Sequence, residues 1–264
     1  MNKIIEPQIL YIYDGSFEGW LTTVGMAKSH PGKVQNIVAD DVQQDLFSEK
    51  IFIETDEERA ERIFKYLCQN YPEDIVMDVL YAFLSETEGI ELQLFYYLIR
   101  LWAKGEQAVR NYTDETMATV QQARERVAHE ILRMQGFVRF RKLRSGVYYA
   151  PISPDADVVQ MLAPHFSARF SDQPWVIHDT KRNTGIYYDG AQCRYLYSME
   201  IPEGTVAACR GRSTSAMEVF ASGEGDLQEL WKQYCQAVAI QERINPRLQR
   251  QRMPVRYWKY LVEK

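Results

Sequence analysis

The chain has 264 residues, a formal net charge of -5, and is 46% hydrophobic and 25% charged. That is ordinary globular material, able to bury a sizeable core without metal or disulfide staples. The acidic balance excludes whole-molecule attraction to nucleic acid, so any such attraction has to come from local patches.

Cys68, Cys193, Cys209 and Cys235 form no C-x-x-C pair, no zinc-ribbon spacing and no three-cysteine iron–sulfur run. Reduced thiols in a cytosol follow, and no catalytic cysteine is expected. No window approaches the roughly 20 apolar residues of a membrane span. The opening "MNKIIEPQILYIYDGS" lacks the long apolar run of a signal peptide. The expectation is a cytoplasmic protein with no cofactor and no membrane contact.

In chain order, "QILYIYDGS" predicts a strand ending in a turn at Asp14-Gly15-Ser16, which also suits a helix cap. "FEGWLTTVGMAKSH" predicts a helix closed by His30-Pro31-Gly32, and "KIFIET" a second short strand. Three apolar stripes at helical spacing follow. The first runs through Ala60, Ile63, Phe64, Leu67, Cys68 and Tyr71. The second holds Ile75, Val76, Val79, Leu80, Phe83 and Leu84, and the third Leu94, Phe95, Leu98, Ile99 and Trp102. "DETMATVQQARERVAHEILRMQ" predicts a longer helix with a wide polar face.

The texture changes at Gly136. "FVRFRKL" and "GVYYAPIS" predict strands around a turn at Arg144-Ser145-Gly146. "DADVVQMLAPHFSARF" predicts a helix interrupted by Pro164, "WVIHDTKRNTGIYYD" a hairpin, and "CRYLYSMEI" another strand. "GTVAACRGRSTSAMEVFASGEGD" reads as a loop. "LQELWKQYCQAVAIQERI" reads as an amphipathic helix with Leu227, Leu230, Trp231, Tyr234 and Val238 on one face. The expected fold is α+β. An antiparallel sheet with flanking helices accompanies a mainly helical segment over residues 56–135, all within one domain of residues 1–264.

Two basic clusters interleave with aromatic rings. The first holds Arg133, Arg139, Arg141, Lys142 and Arg144 with Phe137, Phe140, Tyr148 and Tyr149. In a strand, Arg139 and Arg141 would share one face. Arginines beside rings suit phosphates and unstacked bases. They equally suit a solvated face paired with the acids of residues 54–61. The second cluster, near the C-terminus, holds Arg247, Arg250, Arg252, Arg256 and Lys259 with Tyr257, Trp258 and Tyr260. It would meet a nucleic acid or an acidic partner, or else form a structural clamp by cation–π packing.

Catalytic candidates are fewer. His178 beside Asp179 has the form of an oriented general base. His165 lies 13 residues earlier, but two histidines are too few to define a metal site. Asp155 and Asp157 suit either a divalent metal, as in nucleases, or a helix cap. No P-loop, G-x-G-x-x-G or G-x-S-x-G is present.

Four stretches, "YIYDGSFEGWLTTV", "FVRFRKLRSGVYYAPISPDADVV", "LAPHFSARFSDQPWVIHD" and "INPRLQRQRMPVRYWKYL", together resemble a bacterial family described as DNA-metabolism or DNA-repair proteins. The resemblance spans nearly the whole chain, and both basic clusters lie in its motifs. It implies a neighbouring radical-SAM protein of DNA modification or repair, and a related domain fused to uracil-DNA glycosylase-like domains. It brings no catalytic mechanism. This chain lacks the cysteine run for radical-SAM chemistry of its own. The expected function is that of a DNA-associated accessory protein. It would bind DNA or RNA through Arg139, Phe140, Arg141, Lys142, Arg144, Tyr148, Arg247, Arg252, Arg256, Tyr257 and Trp258. The alternatives are a nuclease or glycosylase using His165, His178, Asp179 and Asp155, and a protein–protein adaptor anchored by Tyr96, Tyr97 and Trp102. If one ligand spans both basic clusters, they should line a single positive groove.

Overall fold

The computed structural model describes residues 8–39, 49–202, 204–211 and 219–264. It is an α+β structure. The chain divides into two compact units, residues 1–128 and residues 129–264.

The first unit begins with β1 (Ile9–Ile12), α1 (Phe17–Ala27) and β2 (Val34–Val38), followed by β3 (Glu49–Phe52). These strands form a three-stranded sheet in the order β2-β1-β3, with both pairings parallel. The Asp14-Gly15-Ser16 turn does what its sequence predicts. Ser16 caps α1 by accepting from the Gly19 amide at 2.9 Å, and Asp14 accepts from Ser16 and from Thr55 Oγ1. β2 escapes a sequence reading because Gln35 and Asn36 break its apolar run.

Then come α2 (Glu57–Asn70), α3 (Glu73–Leu84), α4 (Ile90–Lys104), the short α5 (Glu106–Val109) and α6 (Glu115–Phe137). The predicted stripes become the core: Ala60, Leu67, Ile75, Val79, Leu94, Phe95 and Leu98 are all buried in one cluster with Trp20 and Leu21. The acids of α2 pair locally, Asp56 with Arg59, Glu58 with Arg62 and Glu61 with Lys65.

The second unit is built on a five-stranded sheet in the order β4-β5-β6-β7-β8: β4 (Arg141–Lys142), β5 (Tyr148–Ile152), β6 (Trp175–Asp179), β7 (Thr184–Tyr188) and β8 (Cys193–Leu196). The expectation of an antiparallel sheet is corrected here. β5 and β6 run parallel, and the other three pairings are antiparallel. The cause is the segment between them, which carries α7 (Ala163–Arg169). A tight hairpin returns a strand antiparallel, whereas a long crossover with a helix returns it parallel. Pro164 sits in the first turn of α7, where its missing N–H costs nothing, and does not interrupt it.

Aromatic packing dominates one face of this sheet. Phe140 meets Phe166, Phe170 and Trp175 at centroid distances of 5.5, 5.3 and 5.9 Å, and Trp175 stacks on Tyr188 at 5.3 Å. The opposite face packs Tyr149 and Val176 against Ala208, Cys209 and Phe220. Ala208 and Cys209 belong to α8 (Thr205–Cys209), a short helix inside the stretch read as loop. Residues 212–218 of that stretch lie outside the described residues. The unit ends with α9 (Glu224–Ala237), α10 (Pro246–Arg252) and a 3-10 turn over Val255–Tyr260.

Gly185 on β7 tests this packing. A Cβ there would lie 2.7 Å from the Ile177 carbonyl oxygen and 2.2 Å from Met199 Sδ. The strand backbone cannot retreat without breaking its ladder. Gly185→Ala is expected to lower stability by about 1–3 kcal/mol in urea unfolding.

Candidate nucleic-acid interface

A cleft of about 570 Å³ opens in the second unit, within the ~300–1,000 Å³ typical of ligand sites. Phe140 and Tyr148, from around β4 and on β5, line it beside Arg139. Arg169 and Phe170 come from the end of α7, and Leu227 and Trp231 from α9. Three residues predicted from the first basic cluster therefore meet in one place.

The rings are accompanied by cations. Lys142 lies 5.6 Å from the Tyr148 centroid, Arg169 5.7 Å from Phe170 and Arg139 5.6 Å from Trp231. Glu263 fixes the last of these pairs. It accepts from Arg139 Nη2 at 2.7 Å and from the Trp231 indole N–H at 3.1 Å. Burial pushes the Glu263 carboxyl up, but the hydrogen bonds and charge of Arg139, a backbone hydrogen bond and the Trp231 indole together outweigh it and hold the group below its usual range. Arg139 therefore orients Trp231 and is already charge-paired, which corrects its expected role as a phosphate contact. Arg169 is exposed at the cleft and contacts no acidic side chain among the described residues. Glu224 also lines the cleft, but its oxygens accept from the Lys142 amide and from Gln228.

Other expected contacts are corrected more sharply. Arg141 is 3% exposed and donates to the Tyr260 carbonyl, because β4 is two residues long and turns this side chain inward. Arg139 precedes that strand, so the two arginines do not share a strand face. Arg256 pairs with Asp155 at 2.7 Å, lies 4.6 Å from the Tyr257 centroid and donates to the Tyr257 hydroxyl. Tyr257 is 4% exposed, and its hydroxyl donates to Glu130. Trp258 donates to the Met253 carbonyl at 2.9 Å. Residues 256–260 thus form a structural clamp, and they do not floor a groove. The single groove spanning both clusters is not what the fold builds.

Arg247, Arg250 and Arg252 stand apart from this clamp. They lie on the exposed α10, which Asn245 caps by accepting from the Leu248 amide, and they make no ion pair among the described residues. Arg144 is exposed at the turn after β4, and its amide donates to Val219.

The expected catalytic group does not converge. Along β6 alternate side chains point to opposite faces. His178 lies on the Tyr149 face, while Trp175 on the other face contacts Phe166, the neighbour of His165 in α7. His178 is 4% exposed; its Nδ1 is 2.7 Å from the Tyr149 hydroxyl and its Nε2 3.3 Å from Asn183 Oδ1. Asp179 is fully buried and held by Arg182 at 2.7 Å. Asp155 is exposed and committed to Arg256, and it caps no helix. No cluster of three or more His, Cys, Asp or Glu suited to a metal exists among the described residues. The Cys209 thiol is pushed up to about 11 by burial, against the lowering influence of Arg141, and stays protonated at neutral pH.

Sequence reasoning missed Arg169, Phe170 and Trp231. The adjacent pair Arg169-Phe170 had the same cation–ring character as the clusters that drew attention. Trp231 carried only a helical-face signal.

Residues 88–263 match the family model described as Domain of unknown function (DUF4130), and the chain belongs to that family. No curated protein and no solved structure matches it. No helix among the described residues is long and apolar enough to cross a membrane.

The His178 environment gives a pH signature. Burial lowers its pKa from the ordinary value, and the opposing influences of Asn183 and Asp179 do not restore it. The unfolded chain then binds a proton more readily than the folded one. Stability contributed by neutral His178 is full above the unfolded pKa of ~6.5 and falls as pH drops through the folded pKa. Thermal melts of wild type should lose stability just below that pH, ahead of the carboxylates. His178→Gln should remove this early loss.

Proposed function

We propose that the chain is a DNA-associated accessory protein in DNA repair or modification. It holds an unstacked stretch of nucleic acid in the second unit's cleft and presents it to a partner enzyme. The observation that carries this reading is the convergence of Phe140, Tyr148, Phe170 and Trp231 with Arg169 in one cleft of about 570 Å³. Rings accept bases of any identity, and an unpaired guanidinium meets the phosphate between them. The exposed arginines of α10 add a sequence-independent electrostatic contact. The resemblance to DNA-repair proteins supplies the partner: a radical-SAM protein brings the chemistry that this chain's scattered histidines and carboxylates do not assemble.

Fluorescence anisotropy with labelled single-stranded DNA, and RNA of the same sequence, tests the proposal. Binding should be measurable at low salt. Tyr148→Ala should weaken it by about fivefold to a hundredfold, the value of one lost base–ring stack of ~1–3 kcal/mol. Replacing Arg247, Arg250 and Arg252 together by alanine should flatten the salt dependence, by ~0.7 in log–log slope for each phosphate released. Absence of DNA and RNA binding at low salt would overturn the reading.

A second reading, the protein–protein adaptor, is favoured by a different observation. The apolar face of α9 is at the surface, with Leu227, Leu230, Trp231, Tyr234 and Val238 all exposed. Apolar patches of that kind mark interaction sites. The anchors expected on the helical segment fare less well, since Tyr97 is buried and donates to Asp78. With the radical-SAM protein purified separately, Leu230→Glu combined with Val238→Glu, both outside the cleft lining, should weaken the complex at least tenfold. Nucleic-acid affinity should be unaffected. An unchanged complex removes α9 as the docking face.

A further inference from the structure

The first unit contains a second cleft, of about 530 Å³, that the reading above does not use. Its lining comes from α1, α2 and α4: Gly25 and Lys28, then Arg59, Arg62, Ile63 and Tyr66, then Trp102. Three of these seven residues are cations and none is an acid. Three cations beside two rings suit an anion that carries an aromatic part better than a neutral apolar molecule.

The cations are available. The Lys28 ammonium lies 5.7 Å from the Trp102 centroid, with no carboxylate partner among the described residues. Arg59 and Arg62 reach Asp56 and Glu58 only at 3.5 and 3.6 Å, from side chains that are 41% and 65% exposed. Exposed pairs of that kind hold a side chain by about 0–1 kcal/mol, so a phosphate can redirect both guanidiniums. Gly25 is fitted to the cleft. A Cβ there would lie 2.8 Å from Ile63 Cδ1 and 3.2 Å from Arg59 Cδ, so only glycine leaves these two side chains where they are. The half-exposed Tyr66 and the Trp102 ring supply aromatic surface beside the charge.

We infer that this cleft binds a nucleoside phosphate, its base against Trp102 and Tyr66 and its phosphates on Lys28, Arg59 and Arg62. A polyphosphate alone would leave the rings unused, and a neutral nucleoside would leave the cations unused. The same chemistry is offered by a free nucleotide and by the phosphorylated terminal nucleotide of a strand. The site stands on the first unit alone, whether or not the second unit's cleft takes nucleic acid.

Isothermal titration calorimetry on the full chain, with adenosine triphosphate, adenosine and inorganic tripolyphosphate as probes, tests the inference. Adenosine triphosphate should bind with a Kd below ~1 mM, and both fragments at least tenfold more weakly. Lys28→Ala and Arg62→Ala, both surface changes expected to leave the melting temperature unaltered, should each weaken it by about tenfold. Tyr148→Ala, in the other cleft, should have no effect. A 5′-phosphorylated oligonucleotide that displaces the nucleotide while its unphosphorylated twin does not would identify a strand end as the source. Failure of both to compete would identify the free nucleotide. Three results would each overturn the inference: no heat with adenosine triphosphate at millimolar concentration, equal affinity for tripolyphosphate, or binding unchanged in the Lys28→Ala, Arg62→Ala double variant.

Discussion

A carboxylate that is 3% exposed must be matched by donors or give up its charge, and in the second unit Glu130 meets that demand from three directions. The Tyr257 hydroxyl and the Asp155 amide donate to one oxygen, while Arg133 and Arg256 approach the other at 3.5 and 3.7 Å. One side chain near the end of α6 thereby holds the loop after β5 and the C-terminal 3-10 turn together. Arg256 completes the circuit by reaching Asp155. Glu263 repeats the arrangement a few residues on, between Arg139 and Trp231. The C-terminal segment is thus fixed at both ends by carboxylates, and the aromatic wall of the cleft is positioned as a consequence.

That constraint explains which parts of the molecule were legible in the sequence. Helical periodicity is local, so α2, α3, α4 and α6 can be read from spacing alone, and the Ser16 cap needs only its own neighbours. The fate of each arginine is not local. Arg139 and Glu263 are 124 residues apart, and Arg256 and Glu130 are brought together by the same fold. A cluster of cations free of nearby acids looks unpaired in sequence, yet its acids arrive from elsewhere in the chain. The pairing of His178 with Asp179 misled for the opposite reason. Adjacent residues on a strand point to opposite faces, so His178 is held by Tyr149 and Asn183 and Asp179 by Arg182, with no hydrogen bond between the two.

Internal use of the arginines changes the physics expected of any nucleic-acid contact. Arg139, Arg141, Arg182 and Arg256 already meet carboxylates or carbonyls, and Lys142 lies over Tyr148. At the cleft itself Arg169 is the one lining cation without an acidic partner among the described residues, in a chain of net charge -5. Affinity in the cleft then has to come mainly from ring contact, which is insensitive to ionic strength. Such a protein would prefer bases already out of the helix, because it has too little positive charge to hold a duplex while melting it.

The same reasoning separates the two clefts. In the second unit the rings outnumber the uncommitted cations, and the guanidinium of Arg139 is neutralised by Glu263. In the first unit three cations share a smaller cleft with two rings, and the only acidic partners among the described residues are exposed ones, at 3.5 and 3.6 Å from Arg59 and Arg62. A surface rich in rings and poor in free charge selects stacked bases along a strand, whatever their number of phosphates. A surface that joins cations to rings selects a phosphorylated nucleoside over either part alone. One chain can therefore carry one site that holds bases along a strand and another that reads a phosphorylated nucleotide.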